Sequence, residues 1–513
     1  MKLLDLLQDY PGVELGSAAG MQIRSLAYDS RRVEPGSLFF AISGENDDGH
    51  RFIPDALARG AAAIVSERAC HGGSAGIQEG SANLASRWVR VPKIRRALSS
   101  AARAFYGHPE GALRLVGITG TNGKTTTAYL LESIFHAAGV PNGLFGTIEY
   151  HVGGKKLPAP NTTPESLDLA SNLADLVKAG ASAAVMEVSS HALAQERIWG
   201  FPFAVGVFTN LTRDHLDYHG TLEDYFRAKR RLFEGLGTPP PGVAVINADD
   251  PWSARLVGLP YPRLITYGTS SQAAVRVRRF SQNASGLRAW LTTPEGPLDI
   301  ESSLIGRSNL MNILAAAATA QGLGIAGEKI QHGLEALGLV PGRFERVESG
   351  QPFLVLVDYA HTDDALRNVL TTARELTNHR LIVVFGCGGD RDRSKRPLMG
   401  EAAGSLADLV VLTSDNPRSE DPLTIMNDAL VGVQRTGKGC TLEVDRAAAI
   451  RGALEQARAG DVVVIAGKGH ETYQIFKDRT IAFDDRQVAR EALEGLGYVP
   501  RSGAGRLNSH PVG

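Results

Sequence analysis

Two successive trains of apolar strands, each strand followed by an amphipathic helical stretch, restrict this chain more than any other feature. "LRLVGIT", "SAAVMEVSS", "FAVGVFTN" and "GVAVINADD" recur between residues 108 and 338, and "FLVLVDYAH", "RLIVVFGCGGDRD", "DLVVLTSDNPR" and "DVVVIAGKGHE" follow after 339. A strand that is apolar along its whole length is covered on both faces, and an intervening helix carries the chain back to start the next strand in the same direction. The pattern therefore predicts an α/β protein with mostly parallel sheets. At 513 residues the chain is too long for one core, so several domains are expected. We place a small mixed α/β domain at 1–107, a central mostly parallel domain at 108–338 and a Rossmann-like doubly wound domain at 339–500. The aperiodic tail 501–513 is expected to be disordered, and the Gly/Ser-rich stretch 71–86 to be a loop or insertion.

Charge excludes several partners. Lys+Arg (54) and Asp+Glu (55) nearly cancel, which argues against nucleic acid or a membrane surface. The local basic runs "RAKRRLF" and "VRVRRF" are expected to be solvated faces. No run of about 18 apolar residues exists, so no membrane insertion is expected. "MKLLDLLQDYPGVEL", interrupted by Asp5 and Asp9, reads as a first helix and not a signal peptide. Three scattered cysteines, Cys70, Cys387 and Cys440, fit a reducing cytoplasm. A monomer is expected.

Polar clusters stand at the carboxyl ends of the strands, where open parallel sheets bind ligands. "LRLVGITGTNGKTTTAYLL" is strand, glycine loop and helix. Glycines 117, 120 and 123 are expected to let backbone N–H groups approach an oxyanion, with the helix N-terminus and Lys124 adding positive charge. Thr125 has the position that ligates Mg2+ in P-loops, although Ile118 replaces the first glycine of the strict pattern. ATP is expected here, against Gly120, Thr121, Asn122, Gly123, Lys124, Thr125 and Thr126.

The spelling GxTGTNGKTT, with "MEVSSHAL", "DHLDYHG", "GRSNLMNILAA", "PGRFE" and "DYAHTDDAL", resembles the Mur ligases, ATP-dependent amide-forming enzymes of peptidoglycan precursor assembly. The resemblance runs in order from "YDSRRVEPGSLFFA" to "FDDRQVAREAL". Within the family, "NTTPE", "GGDRD" with "KRPLM", "DNPR" and "GKGHE" resemble the branch that adds meso-2,6-diaminopimelate to UDP-N-acetylmuramoyl-L-alanyl-D-glutamate. The resemblance implies a first domain for the UDP end, a central ATPase and a third domain that receives the amino acid. It also implies activation of a carboxylate as an acyl phosphate, with cations dominating the cleft.

On that resemblance, Lys124, Glu187, His215 and Lys229 carry catalysis. Mg2+ is implied at Thr125 and Glu187, and at His215 with Lys229 carbamylated as N6-carboxylysine. Asn309, Asn312, Arg343, Asp358 and His361 are implied against the nucleotide, with Arg343 just after a presumed hinge. Ser30 is implied near the uracil, and Asn161, Thr162, Thr163, Ser189, Gln195 and Arg197 along the sugar-peptide part. "END", residues 45–47, is expected near the nucleotide end of that substrate.

Arg418, in "TSDNPRSEDP", can be read chemically. Diaminopimelate carries a distal carboxylate and amine, whereas lysine carries only the amine. A guanidinium pairs with the carboxylate and repels a lone ammonium. Asp415, Asn416, Pro417 and Gly467 are expected around the same ligand, Glu471 against the distal amine and Arg391 against the other carboxylate. The competing readings are a lysine-adding sister ligase, a folylpolyglutamate synthetase-like ligase and a nucleotide-regulated binding protein without turnover.

Overall fold

The computed structural model describes residues 1–8, 10–44, 47–70 and 84–499. The Gly/Ser-rich stretch as far as residue 83, residues 45 and 46 of "END" and the 501–513 tail lie outside them.

Three large sheets follow one another along the chain. The first has four strands, Ser25–Ala27, Ser37–Phe40, Ala63–Ser66 and Trp88–Arg90, all parallel. The expected first helix is present as Leu3–Leu7. Its buried Leu3, Leu6 and Leu7 join an apolar core that continues through Leu98 and Leu173 to Phe226 and Phe233. The first sheet is thus packed continuously onto one face of the second.

The second sheet has eleven strands. Its middle is parallel, in the order Arg263–Gly268, Val243–Asn247, Val205–Phe208, Arg114–Thr119, Ala183–Glu187 and Asn142–Phe145. Arg114–Thr119 pairs with Val205–Phe208 on one side and Ala183–Glu187 on the other. The strand order switches there, and three loops open at their carboxyl ends. Helices Lys124–Ala137 and Arg307–Gly322 bury their apolar sides against the opposite face.

The sheet also carries an antiparallel meander, Val275–Asn283, Gly286–Thr293 and Gly296–Ser302. This corrects the reading of "VRVRRF" as only a solvated face. Val275 is buried in the second core, whereas Arg279 is exposed, stacking with Arg288 on Trp290. Gly117 is a second correction. It lies inside the Arg114–Thr119 strand, where a Cβ would meet the Phe203 ring at 2.8 Å. It permits close packing and is not part of the phosphate loop.

The third sheet has the order Glu345–Arg346, Leu354–Asp358, Val462–Ala466, Leu381–Phe385, Leu409–Thr413 and Thr441–Glu443. All but the first strand are parallel. Apolar cores cover both faces. A hairpin, Tyr473–Ile475 with Thr480–Ala482, stands beyond the strand ends. No described helix is long and apolar enough to cross a membrane.

Candidate active site

The strand Arg114–Thr119 leads into Gly120, whose φ is 148° and whose Cβ would fall 1.8 Å from Thr209 Oγ1. Only glycine fits that approach. Gly123, φ 87°, then starts the Lys124–Ala137 helix. Lys124 folds back over the loop, its Nζ donating to the carbonyls of Gly120 (3.0 Å) and Thr121 (2.8 Å). Burial lowers its pKa, while Glu187 and Asp214 oppose the shift.

Lys229 does not belong to a solvated face. The Leu222–Glu234 helix exposes Arg227 and leaves Arg230 and Arg231 half-buried, but buries Lys229 to 1% exposure. Its Nζ donates to Gly120 O at 2.7 Å, the same carbonyl that Lys124 uses, and lies 4.3 Å from the Tyr225 ring centroid. Burial, reinforced by Lys124, holds its pKa well below the ordinary lysine value.

Glu187 closes its strand with 0% exposure. Oε2 accepts from Thr125 Oγ1 and Thr147 Oγ1, both at 3.1 Å, and Oε1 accepts from Thr147 N at 2.8 Å. A hydroxyl beside a carboxylate on a phosphate-type loop is the oxygen donor set that a hard cation shares with phosphate and water, so Mg2+ fits here. Among the described residues no three His, Cys, Asp or Glu side chains form a cage for a metal.

His215 has a left-handed backbone, φ 52°. It pairs with Asp214 at 3.3 Å and packs edge-on against His191, with 4.7 Å between centroids. Withdrawal from water lowers its pKa, with His191, Lys229 and His361 adding to the effect and Asp214 resisting it. His215 and Lys229 both pack near the Tyr225 ring.

A cavity of about 260 Å³ opens between the second and third sheets. It is lined by the expected Asn122, Gly123, Thr125, Thr126, Asn309, Asn312, Arg343, Asp358 and His361. Arg343 spans the junction, with Nη2 donating to Thr125 Oγ1 at 3.1 Å and its guanidinium 4.7 Å from the Tyr359 ring centroid. Asp358 accepts from the backbone N–H groups of Phe344 (2.7 Å) and Ala360 (2.8 Å). Asp364, absent from the sequence reading, ties the sheets further by accepting from Asn122 Nδ2 at 2.9 Å and Thr212 Oγ1 at 3.1 Å.

Tyr359 and His361 also line a second cavity, of about 180 Å³. His215, Arg391, Asp415, Asn416, Arg418, Gly467 and Glu471 stand around it. The carboxyl ends of four third-sheet strands supply most of these groups. Arg418 has φ 52°, and its backbone N–H is fixed by Ile475 O at 3.0 Å. Its Nη1 donates to Gly389 O at 2.8 Å, and among the described residues no carboxylate lies within 4 Å of the guanidinium.

The acids around Arg418 are otherwise engaged. Glu420 binds Arg396 at 2.7 Å, and Asp421 caps the Pro422–Arg435 helix. Pro417 is buried within the turn. Arg391 is exposed, and its Nη1 donates to Asp390 O at 3.0 Å. The sequence reading missed Tyr359, Asp214 and Lys468. All three lay inside quoted motifs, "DYAHTDDAL", "DHLDYHG" and "GKGHE".

The residues assigned to the sugar-peptide part gather on the other side of Glu187. Thr163 Oγ1 donates to Glu187 O at 2.8 Å and accepts from Ser189 N at 3.0 Å. Thr162 Oγ1 is 3.2 Å from Thr147 Oγ1, and Asn161 O accepts from Tyr150. Arg197 donates to Thr163 O at 3.1 Å and Gln195 Oε1 at 2.8 Å, and pairs with Glu165 at 3.0 Å.

A basic cavity of about 540 Å³ lies between the first and second sheets, with His50, Arg68, Lys93, Arg95, Arg96 and Gln195 in its wall. Ser30 does not line it. It is buried in the Ser30–Arg32 turn, beside Tyr28 and Arg32, which bind Asp168.

Residues 22–106 match the profile described as Mur ligase family, catalytic domain, residues 118–320 the Mur ligase middle domain, and residues 342–469 the Mur ligase glutamate ligase domain. A UDP-N-acetylmuramoyl-L-alanyl-D-glutamate--2,6-diaminopimelate ligase of Solibacter usitatus is 56% identical over 480 residues, covering 94% of this chain and 95% of that protein. A ligase of the same name from Geobacter metallireducens is 47% identical over 515 residues, covering 97% and 99%. A solved structure of a ligase of that name superposes with a TM-score of 0.67 at 35% identity, covering 97% of this chain and 100% of the other. The chain belongs to the Mur ligase family.

Proposed function

We propose that the chain joins an amino group of meso-2,6-diaminopimelate to the D-glutamyl carboxylate of UDP-N-acetylmuramoyl-L-alanyl-D-glutamate, at the expense of ATP. The observation that carries this reading is Arg418. Among the described residues its guanidinium has no carboxylate partner, and it lines a cavity that shares Tyr359 and His361 with the phosphate-loop cavity.

The chemistry assigns the residues as follows. Lys124 and the N–H groups at the start of the Lys124–Ala137 helix hold the triphosphate, the loop before them being fixed by Thr121 N and Asn122 N donating to Asn210, and Asn309, Asn312 and Asp358 orient the nucleoside. The glutamyl carboxylate attacks the γ-phosphorus, ADP leaves and an acyl phosphate forms. The free amine attacks the acyl carbon, the carbon–oxygen bond to phosphate breaks, and inorganic phosphate leaves with the proton lost by the nitrogen.

Mg2+, when bound, neutralises phosphate charge; Thr125 and Glu187 would hold one ion, His215 and carbamylated Lys229 another. Lys229 as a neutral amine can add to the carbon of CO2 and lose a proton, leaving the anionic carbamate. Its lowered pKa favours that reactive form. Arg343, reaching Thr125 from the third sheet, brings its charge to the phosphoryl group and couples closure to reaction.

Asn161, Thr162, Thr163, Ser189, Gln195 and Arg197 are assigned to the sugar-peptide part of the acceptor, and Ser30 to its uracil end. Three units, 1–107, 108–338 and 339–500, divide the work as acceptor, nucleotide and amino-acid binding. The proposed setting is the cytoplasm, with the enzyme a monomer.

The test is Arg418→Ala. Loss of one charged partner for the distal carboxylate predicts a fall in diaminopimelate kcat/KM worth about 2–5 kcal/mol. Unchanged diaminopimelate use would refute the assignment.

A further inference from the structure

Lys468 has no surface. Its side chain is 0% exposed beneath the amino-acid cavity, and it does not line that cavity. Its Nζ lies 2.9 Å from Glu471 Oε2, 3.1 Å from Asn416 Oδ1 and 3.9 Å from Asp415 Oδ1. All three of those residues do line the cavity. Asn416 is held as a go-between, its Nδ2 donating to the same Glu471 oxygen at 2.9 Å and its Oδ1 accepting from Ile475 N at 3.0 Å. A buried ammonium is retained only where anions compensate it, and it compensates them in turn.

The charge count around the cavity's distal end then matters. Of the charged groups in the lining, Asp415 and Glu471 are the two that Lys468 approaches; they supply two negative charges, Lys468 removes one, and Arg418 in the same lining adds one positive charge, while Arg391, Lys395, Asp214, Asp217 and Asp392 line the rest of the cavity. The neighbouring buried pair, Arg446 with Asp485, cancels internally. One net negative charge beside one positive charge matches a ligand end that carries one ammonium and one carboxylate. Without Lys468 the same end would hold a net negative charge and match a lone ammonium instead.

We infer that Lys468 is a positioning residue for amino-acid selectivity: by neutralising one of the two carboxylates Asp415 and Glu471, it sets the cavity for a zwitterionic distal group and against a cationic one. The inference rests on the proposed function. It differs from the role given to Arg418, because Lys468 acts through Asn416, Asp415 and Glu471 and not by touching the ligand. Electrostatic complementarity of this kind acts chiefly on discrimination.

The experiment measures ADP release with meso-diaminopimelate and with L-lysine, in wild type, Lys468→Met, Glu471→Gln and the double variant. Lys468→Met is expected to lower the diaminopimelate-to-lysine ratio of kcat/KM by roughly tenfold or more, with the KM for ATP unchanged. A loss of packing would move both substrates and ATP together. If the single variant does not fold, the same substitution is read in the Glu471→Gln background, where one carboxylate has already been removed; the ratio is expected to fall there too. A ratio unmoved by Lys468→Met in a folded protein, or failure to fold in both backgrounds, would overturn the inference. A wild-type enzyme that does not prefer diaminopimelate would overturn the functional reading as well; an undiminished diaminopimelate-to-lysine ratio in folded Lys468→Met, with wild type selective, overturns this inference alone.

Discussion

Arg446 and Asp485 form an ion pair with no solvent contact on either side chain. Nε donates to Oδ1 at 2.8 Å and Nη2 to Oδ2 at 2.7 Å. The guanidinium also reaches Ala466 O at 3.0 Å and Ser414 O at 3.4 Å. Ala466 closes its strand and Ser414 follows the end of Leu409–Thr413, immediately before Gly467 and Asp415. The pair therefore lies under both loops that shape the amino-acid cavity.

Arg446→Met strands Asp485 as an uncompensated buried charge, which costs about 3–5 kcal/mol. That is a large share of the roughly 5–15 kcal/mol by which a folded protein is stable. Arg446→Met with Asp485→Leu removes the charge but leaves the two carbonyls short of a donor, worth about 1–3 kcal/mol for each buried group left unsatisfied. Guanidinium unfolding should therefore rank the proteins wild type, double variant, single variant. The KM for diaminopimelate should rise in both variants while the KM for ATP holds, because the phosphate loop rests on the other sheet. A single variant within about 1 kcal/mol of wild type would refute the reasoning, since stranding one partner of a buried ion pair costs about 3–5 kcal/mol.

Two other outcomes follow from the same geometry. Lys229→Ala should lose most activity, and a small added carboxylate should restore part of it; in wild type, activity should fall in CO2-depleted buffer and return with bicarbonate. Full activity of the alanine variant would remove Lys229 from the mechanism. His470 is held down to about 3 from an ordinary 6.5, first by burial and then by Arg343 and Arg486. Its folded form thus binds no proton where the unfolded chain does, and stability is lost as pH falls from 6.5 towards 3. His470→Gln should flatten that part of the stability profile, measured by unfolding at neutral pH and at intervals down to the acid limb; an unchanged profile contradicts the assignment.

The strand trains and the phosphate loop were legible in the sequence because each rests on local rules. Apolar strands broken by helical stretches imply parallel pairing, and a glycine loop between strand and helix implies an anion site. Lys229 shows where local rules stop. Its neighbours are exposed, as Arg227 is, or half-buried in ion pairs, Arg230 with Glu234 and Arg231 with Glu196, and the basic letters alone do not mark the one lysine that is fully buried; the 3.6-residue helical period through Tyr225, Phe226, Leu232 and Phe233 was the available signal. Gly117 was misread because a glycine next to a phosphate loop looks the same whether it serves the loop or the packing beneath it. The Val275–Ser302 meander was missed although buried Leu287, Ala289 and Leu291 alternate with the less buried Arg288, Trp290 and Thr292. Lys468 could not be recognised from its motif, since its partners Asn416 and Asp415 lie some fifty residues away and meet it only through the order of the third sheet.

The most direct measurement is ADP formation from ATP in the presence of UDP-N-acetylmuramoyl-L-alanyl-D-glutamate, with meso-diaminopimelate, L-lysine or L-glutamate supplied in turn. The cavity around Arg418 predicts ADP release that requires both acceptor and amino acid, and that is fast with diaminopimelate alone. Equal rates with lysine, or ADP release that ignores the amino acid, would contradict it.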